Sequence, residues 1–224
     1  VSPSVFLLDI EGTIGDINFV RTILFPYAEA RFESYLTAEA NKSDVQAILA
    51  EAGLEGQSPA QAAAQFLDWS RADRKFGPLK NLQGLIWHEG YASGVLRAHL
   101  YDDAVAAIKT WRQRNIPVWI YSSGSIAAQK LYFRYAQAGD LTPFLAGHFD
   151  TTIGAKIEAA SYSSIARVIG YAPIHILFLT DAKTEAKAAR LAGMDARLID
   201  RTQAPDWQGE VENIPASGSL QGLY

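Results

Sequence analysis

The feature that most constrains this chain is a run of four apolar residues, Val5-Phe6-Leu7-Leu8, that stops abruptly at Asp9-Ile10-Glu11-Gly12-Thr13. An unbroken apolar run of that length reads as a strand buried on both faces, the pattern of a parallel sheet in an α/β protein. Ligands of such sheets gather beyond the carboxyl ends of the strands, so Asp9 is expected at a pocket. Gly12 permits a sharp turn that folds the next segment back over Asp9. Two carboxylates two residues apart can then face one reaction centre, one attacking and the other moving protons. Taken singly, Asp and Gly after a strand are ordinary turn chemistry, so the reading depends on partners at later strand ends.

The stretch after Thr13 changes character. Phe25, Ala28, Phe32, Tyr35 and Leu36 fall at helical spacing, which predicts one helix over 25–36. A second helix is expected over 43–52, stopped by Gly53, and Ser58-Pro59 supplies an N-cap and first-turn proline for a third, with Phe66, Leu67 and Trp69 as its core face. Another helical stretch follows Pro78 to Tyr91, broken or softened by Gly84, Gly90 and Gly94. Residues 17–98 contain no convincing strand and no Pro/Gly/Ser-rich linker flanks them. They are expected to form a helical cap inserted into an α/β core of residues 1–16 and 99–224.

From Asp102 an α/β rhythm begins. Asp102 or Asp103 can cap a helix that turns Val105, Ile108 and Trp111 inward. Strands are expected at 118–121, 147–151, 176–179 and 196–199, and helices from Ile126, over 161–168 and over 185–192. The tail from Gln203, with Pro205, Pro215 and three glycines after Ala204, is expected to be irregular.

The strand ends then carry, in order, Asp9 and Glu11, Ser122 and Ser123, Lys156 in a following loop, and Asp181. Hydroxyls and free amides ahead of a helix make an anion seat, although an isolated Ser-Ser-Gly is also ordinary capping. Acids at separate strand ends suit a hexacoordinate magnesium ion completed by waters and a phosphate oxygen. In this arrangement Asp9 attacks phosphorus. Glu11 protonates the leaving oxygen and then activates water, while Ser122 or Ser123 and Lys156 hold the non-bridging oxygens.

Composition narrows the classes. The 224 residues contain no cysteine, which excludes disulfides and thiolate metal sites and fits a reducing cytoplasm. A net charge of −4 argues against a nucleic-acid partner. No apolar segment approaches the roughly 20 residues that span a bilayer, and no basic stretch precedes the first apolar run, so a soluble, non-exported protein is expected.

The order of these motifs resembles the haloacid dehalogenase superfamily of magnesium phosphatases, and more closely its enolase-phosphatase (acireductone synthase) branch. The resemblance is carried by DIEGT at 9–13, FV and ILFPY between Phe19 and Tyr27, and LKNLQG at 79–84. It continues in IYSSGS at 120–125, AQKLYF at 128–133, GHFDTTIGAKIEAASY at 147–162 and ILFLTDAKTEAKAA at 176–189. It implies a Rossmann-like three-layer core with an inserted helical cap, and one magnesium ion at Asp9, Glu11 and Asp181, with Glu11 contributing its main-chain carbonyl. Ser122, Ser123 and Lys156 would bind substrate. It further implies a cytoplasmic monomer that enolises 2,3-diketo-5-methylthiopentyl 1-phosphate and hydrolyses the enol phosphate to acireductone, within methionine salvage. Two departures stand out: Ile14-Gly15-Asp16 replaces the usual Thr-x-Pro, and Asp200-Arg201-Thr202 replaces a Pro-Gly after the last strand. Lys80, Gln83, Trp87 and Tyr91 are cap candidates for recognising the substrate tail, with a core role favoured for the aromatics. Two rival readings remain open, a superfamily phosphatase without enolisation and a phosphate-accepting receiver domain, although the latter is about half this length.

Overall fold

The computed structural model describes residues 3–223. The chain divides into two compact units, Val1–Ile17 with Ala98–Tyr224, and Asn18–Arg97.

The first unit is built on a seven-stranded sheet. Strand β1 (Val5–Leu8) lies at its centre, with all four side chains fully buried. Beyond it come α6 (Asp102–Gln113), β2 (Val118–Tyr121), α7 (Ile126–Arg134), β3 (Gly147–Phe149), α8 (Ala159–Ile169), β4 (Ile176–Thr180), α9 (Lys183–Leu191) and β5 (Asp195–Ile199), numbering helices along the whole chain. The sheet order is β3-β2-β1-β4-β5 with parallel pairings throughout, continued by β7 (Ile214–Ser217) parallel to β5 and by β6 (Gln208–Val211) antiparallel at the edge. Alternate residues of β1 serve opposite faces. Phe6 stacks on Trp111 of α6 with ring centroids 3.7 Å apart, while Val5 and Leu7 join Tyr162, Ile165, Ala186 and Ala189 of α8 and α9 in one buried cluster. Helices therefore cover both faces, as the apolar run at Val5 requires.

The strands expected from sequence appear within a residue or two of their predicted bounds. The tail does not follow expectation. Instead of an irregular segment, residues 208–217 form a hairpin whose two-residue turn, Glu212-Asn213, has φ of 53° and 63°. Positive φ at both positions matches the twist of the paired strands, and Asn tolerates it; a Glu-Asn pair simply lacks the glycine that advertises such a turn. The proline that seemed to argue against a strand, Pro215, still sits in β7, paired with Glu210 of the edge strand β6.

The second unit is helical: α1 (Phe25–Glu29), α2 (Phe32–Ala38), α3 (Ser43–Ala52), α4 (Pro59–Arg71) and α5 (Gly77–Ala92), after a π-helical turn at Phe19–Leu24. The single helix expected over 25–36 is broken at Ala30 and Arg31. The Arg31 guanidinium folds back over the Tyr27 ring and donates to the Tyr27 carbonyl at 3.1 Å, occupying the acceptor that a continuous helix would use. Conversely, α5 runs unbroken through Gly84 and Gly90. A Cβ at Gly90 would collide with Leu96 and Tyr27, so that glycine serves close packing rather than a break. Ser58 caps α4 through a reciprocal bond with Gln61, as its sequence position predicts. The core face of α4 is Ala62, Ala63 and Phe66; Leu67 and Trp69 are only half-buried. The residue ahead of α6 is Tyr101, and the expected caps Asp102 and Asp103 lie in its first turn. Among the described residues no helix is long and apolar enough to cross a membrane.

His148 of β3 shares a 3.1 Å contact between its Nδ1 and Gln129 Oε1, while Gln129 Nε2 donates to the carbonyls of Gly124 and Phe149. With its amide nitrogen so committed, Gln129 offers His148 an acceptor, which assigns the proton to Nδ1. Burial, aided by Lys130, pushes the imidazole down to about 4. Below about 6.5 the unfolded chain therefore takes up a proton that the folded chain rejects until about 4. Stability should fall as pH drops through that window, and His148→Gln should flatten that part of the melting-temperature profile measured by circular dichroism.

Candidate active site

The carboxyl end of the sheet gathers the chemistry. β1 delivers Asp9, which is 3 % exposed and whose amide donates to the Leu179 carbonyl at 2.9 Å. The next residues wind tightly: the amides of Thr13, Ile14 and Gly15 all point at the Ile10 carbonyl, and Gly12 N–H reaches the Gly15 carbonyl at 2.9 Å. Gly12 has φ +79°, and a Cβ there would collide with the Asp181 carboxylate. This turn is the one anticipated from Gly12, and it lets the backbone pass directly against a second acid.

Thr13 ties the two strand ends together. Its hydroxyl lies 3.4 Å from Asp9 Oδ2 as donor and accepts from the Asp181 amide at 2.9 Å. Glu11 turns the other way, where its two carboxylate oxygens lie 3.3 and 3.1 Å from the Ser122 hydroxyl that donates to them. Ser122 is fully buried at the end of β2 and accepts from the Gly124 amide at 3.2 Å. Capping of α7 falls instead to Ser125, which accepts from Ala128 N–H. Ser123 sits beside them, exposed.

Lys156 completes the group. Its ammonium bonds to Asp9 Oδ1 and, at 2.8 Å, to Glu185 Oε2. Three hydroxyl groups pin the main chain that carries it: Tyr121 to Gly154 O at 2.9 Å, Ser161 to Ala155 O at 2.7 Å and Tyr162 to Lys156 O at 2.7 Å. Thr180 donates to Glu185 Oε2 at 3.0 Å and holds that carboxylate in place.

Asp9, Glu11, Asp181 and Glu185 thus gather around one lysine. Burial would lower the Lys156 ammonium, but Asp9 and Glu185 outweigh it and hold it above its usual range. Burial first, then the charge of Asp9, raises the other three carboxyls: Glu11, Asp181 to about 6, and Glu185 to about 7. Hard oxygen donors with uncompensated negative charge suit a divalent cation. Among the described residues no three acid or imidazole side chains cluster closely enough to hold an ion. With the Glu11 carboxylate turned to Ser122, Asp9 and Asp181 are the side chains that could hold such an ion.

These elements also match known proteins. A family model for haloacid dehalogenase-like hydrolases covers residues 3–193. Enolase-phosphatase E1 of Parvibaculum lavamentivorans is 48% identical over 220 residues, covering 96% of this chain and 92% of that protein. The chain belongs to the enolase-phosphatase E1 family of haloacid dehalogenase-like hydrolases. Enolase-phosphatase E1 of Drosophila virilis is 46% identical over 238 residues, covering 100% of this chain and 92% of that one. The crystal structure of the UTR4 protein of Saccharomyces cerevisiae superposes with a TM-score of 0.85 at 35% identity, covering 99% of this chain and all of that one.

Against that family frame, sequence reasoning brought Asp9, Glu11, Ser122, Lys156 and Asp181 to one sheet end, where the structure also has them. It assigned nothing to Glu185, which reads from sequence as an acid in the first turn of a helix, a position that the helix dipole already explains. Its signal was its place in the first turn of the helix that directly follows the Thr180-Asp181 strand end. Gln83, Trp87 and Tyr91 are buried within the helical unit, Trp87 donating to the Leu24 carbonyl at 2.8 Å. The favoured core role holds for those aromatics.

Gly12→Ala should displace the Asp181 carboxylate and cut phosphomonoester turnover by about 10- to 100-fold while leaving the circular dichroism spectrum intact. An unchanged rate would show that the turn accommodates a side chain.

Proposed function

We propose that this protein is an enolase-phosphatase that converts 2,3-diketo-5-methylthiopentyl 1-phosphate to acireductone and phosphate, by enolisation followed by hydrolysis. The observation that carries this reading is Asp9 buried at the end of β1, ion-paired with Lys156, with Glu11 two residues on and hydrogen-bonded to Ser122. Nearly full-length similarity to proteins named enolase-phosphatase E1 supports the same activity.

In this reading the Asp9 carboxylate attacks phosphorus while the bond from phosphorus to the enol oxygen breaks, giving an aspartyl phosphate. Glu11, whose carboxyl is held above its usual range by burial and by Asp9, is the acid that gives a proton to the leaving oxygen. As a carboxylate it then takes a proton from the water that attacks phosphorus, which frees Asp9. Lys156 and the Ser122–Ser123 turn hold the non-bridging oxygens, and Lys156 also offsets enolate charge in the first half-reaction. Asp9, Asp181 and the Glu11 main-chain oxygen would hold one magnesium ion. When bound, that ion shields phosphate charge from the attacking carboxylate and stabilises the enolate. In this reading residues 17–98 are the helical cap domain, and the protein works on this small phosphorylated substrate as a cytoplasmic monomer.

The test follows ultraviolet absorbance of the diketone phosphate and phosphate release in parallel. Wild type with magnesium should generate the enol chromophore and then phosphate; Asp9→Asn should lose release by at least about 10³-fold. Equal rates on generic phosphomonoesters with no enol signal would reduce the reading to a simple phosphatase.

A further inference from the structure

Outside the acids and lysine, one charged side chain reaches the catalytic turn from a distant part of the sequence. Arg201, directly after β5, donates to the Thr13 carbonyl from Nε at 2.8 Å and from one terminal nitrogen at 2.6 Å. Its other terminal nitrogen pairs with the Asp103 carboxylate at 3.0 and 2.8 Å. The guanidinium plane lies over the Tyr101 ring, 4.2 Å from its centroid, and the Tyr101 amide donates to the Ile14 carbonyl at 2.9 Å. All five donors of a guanidinium sit in one rigid plane, so these contacts fix its orientation as well as its charge.

The loop that carries Arg201 is itself anchored. Asp200 N–H donates to Ser217 O of β7 at 2.9 Å, and the Asp200 carboxylate accepts from Thr202 N–H at 3.0 Å and from its hydroxyl at 2.6 Å. Asp103 also accepts from the Leu220 amide at 2.7 Å. The C-terminal hairpin and the segment after it are therefore linked, through Asp200, Asp103 and Arg201, to Thr13, whose hydroxyl joins Asp9 to the Asp181 amide.

We propose that Arg201 is a positioning residue for catalysis, holding the Thr13 carbonyl so that the Thr13 hydroxyl keeps Asp9 and Asp181 in register. Its effect on turnover rests on the function proposed above; its effect on the turn does not. Thr13 lies in a turn, outside any helix or strand, and a charge-assisted pair of donors is a strong clamp on its carbonyl. A shift of the turn moves Asp9 relative to the reacting phosphorus without touching the groups that bind substrate, so the loss falls on kcat.

The test combines kinetics of Arg201→Gln, Arg201→Lys and Thr13→Ala with amide hydrogen exchange. Arg201→Gln should lower kcat by about 10- to 100-fold with KM little changed. Arg201→Lys, which keeps a charged donor, should recover part of that loss and covers the case in which the glutamine variant fails to fold. In a Thr13→Ala background Arg201→Gln should cost nothing further, because the hydroxyl through which it acts is gone. The amides of Thr13, Ile14, Gly15 and Asp181 should exchange faster in Arg201→Gln while those of β4 do not. Additive losses with Thr13→Ala, a fall in melting temperature with kcat intact, or unchanged exchange at the turn would each overturn the proposal. Wild type inert on the diketone phosphate, with the exchange response present, would overturn the functional reading and leave the brace standing.

Discussion

The ion pair between Lys156 and Asp9, shared with Glu185, is the interaction on which the site depends. An ammonium taken out of water costs several kcal/mol unless its partners are close and fixed, and removal of one partner from such a group typically costs about 3–5 kcal/mol. The fold meets that demand from both sides. β1 and its hydrogen bonds to β4 fix Asp9, while hydroxyls of Tyr121, Ser161 and Tyr162 fix the main chain around Lys156. Burial, and then the charge of Asp9, raises Glu11, Asp181 and Glu185, and one cation among four acids creates the demand for a further positive charge. Structure and proposed chemistry thus meet in a single imbalance of charge.

Much of this was legible in the residues themselves. An apolar run that ends in Asp-x-Glu-Gly is a strong local statement, because burial, strand termination and turn formation are all set within nine residues. The later strand ends were readable for the same reason, as short β-branched or aromatic runs bounded by Ser-Ser-Gly and Thr-Asp. What escaped was whatever depends on contacts remote in sequence. Arg31 breaks a helix by folding onto Tyr27, a choice that spacing alone does not reveal. Glu185 looks like a dipole-complementing acid until Lys156 is placed against it.

The tail shows the limit most clearly. Its prolines and glycines describe a segment with weak local preference, and β6 and β7 form because β5 offers them an edge. Tertiary pairing overrides composition there, and its contacts with Asp200 and Asp103 brace the loop from which Arg201 reaches the catalytic turn.

The proposed function requires that Asp9 become phosphorylated during turnover. The most direct measurement is a single-turnover reaction quenched in acid, reduced with borohydride and digested for peptide mass spectrometry. Asp9 should be recovered as homoserine only when substrate and magnesium were both present. Phosphate release with Asp9 unmodified, or with the reduced residue elsewhere in the chain, would contradict it.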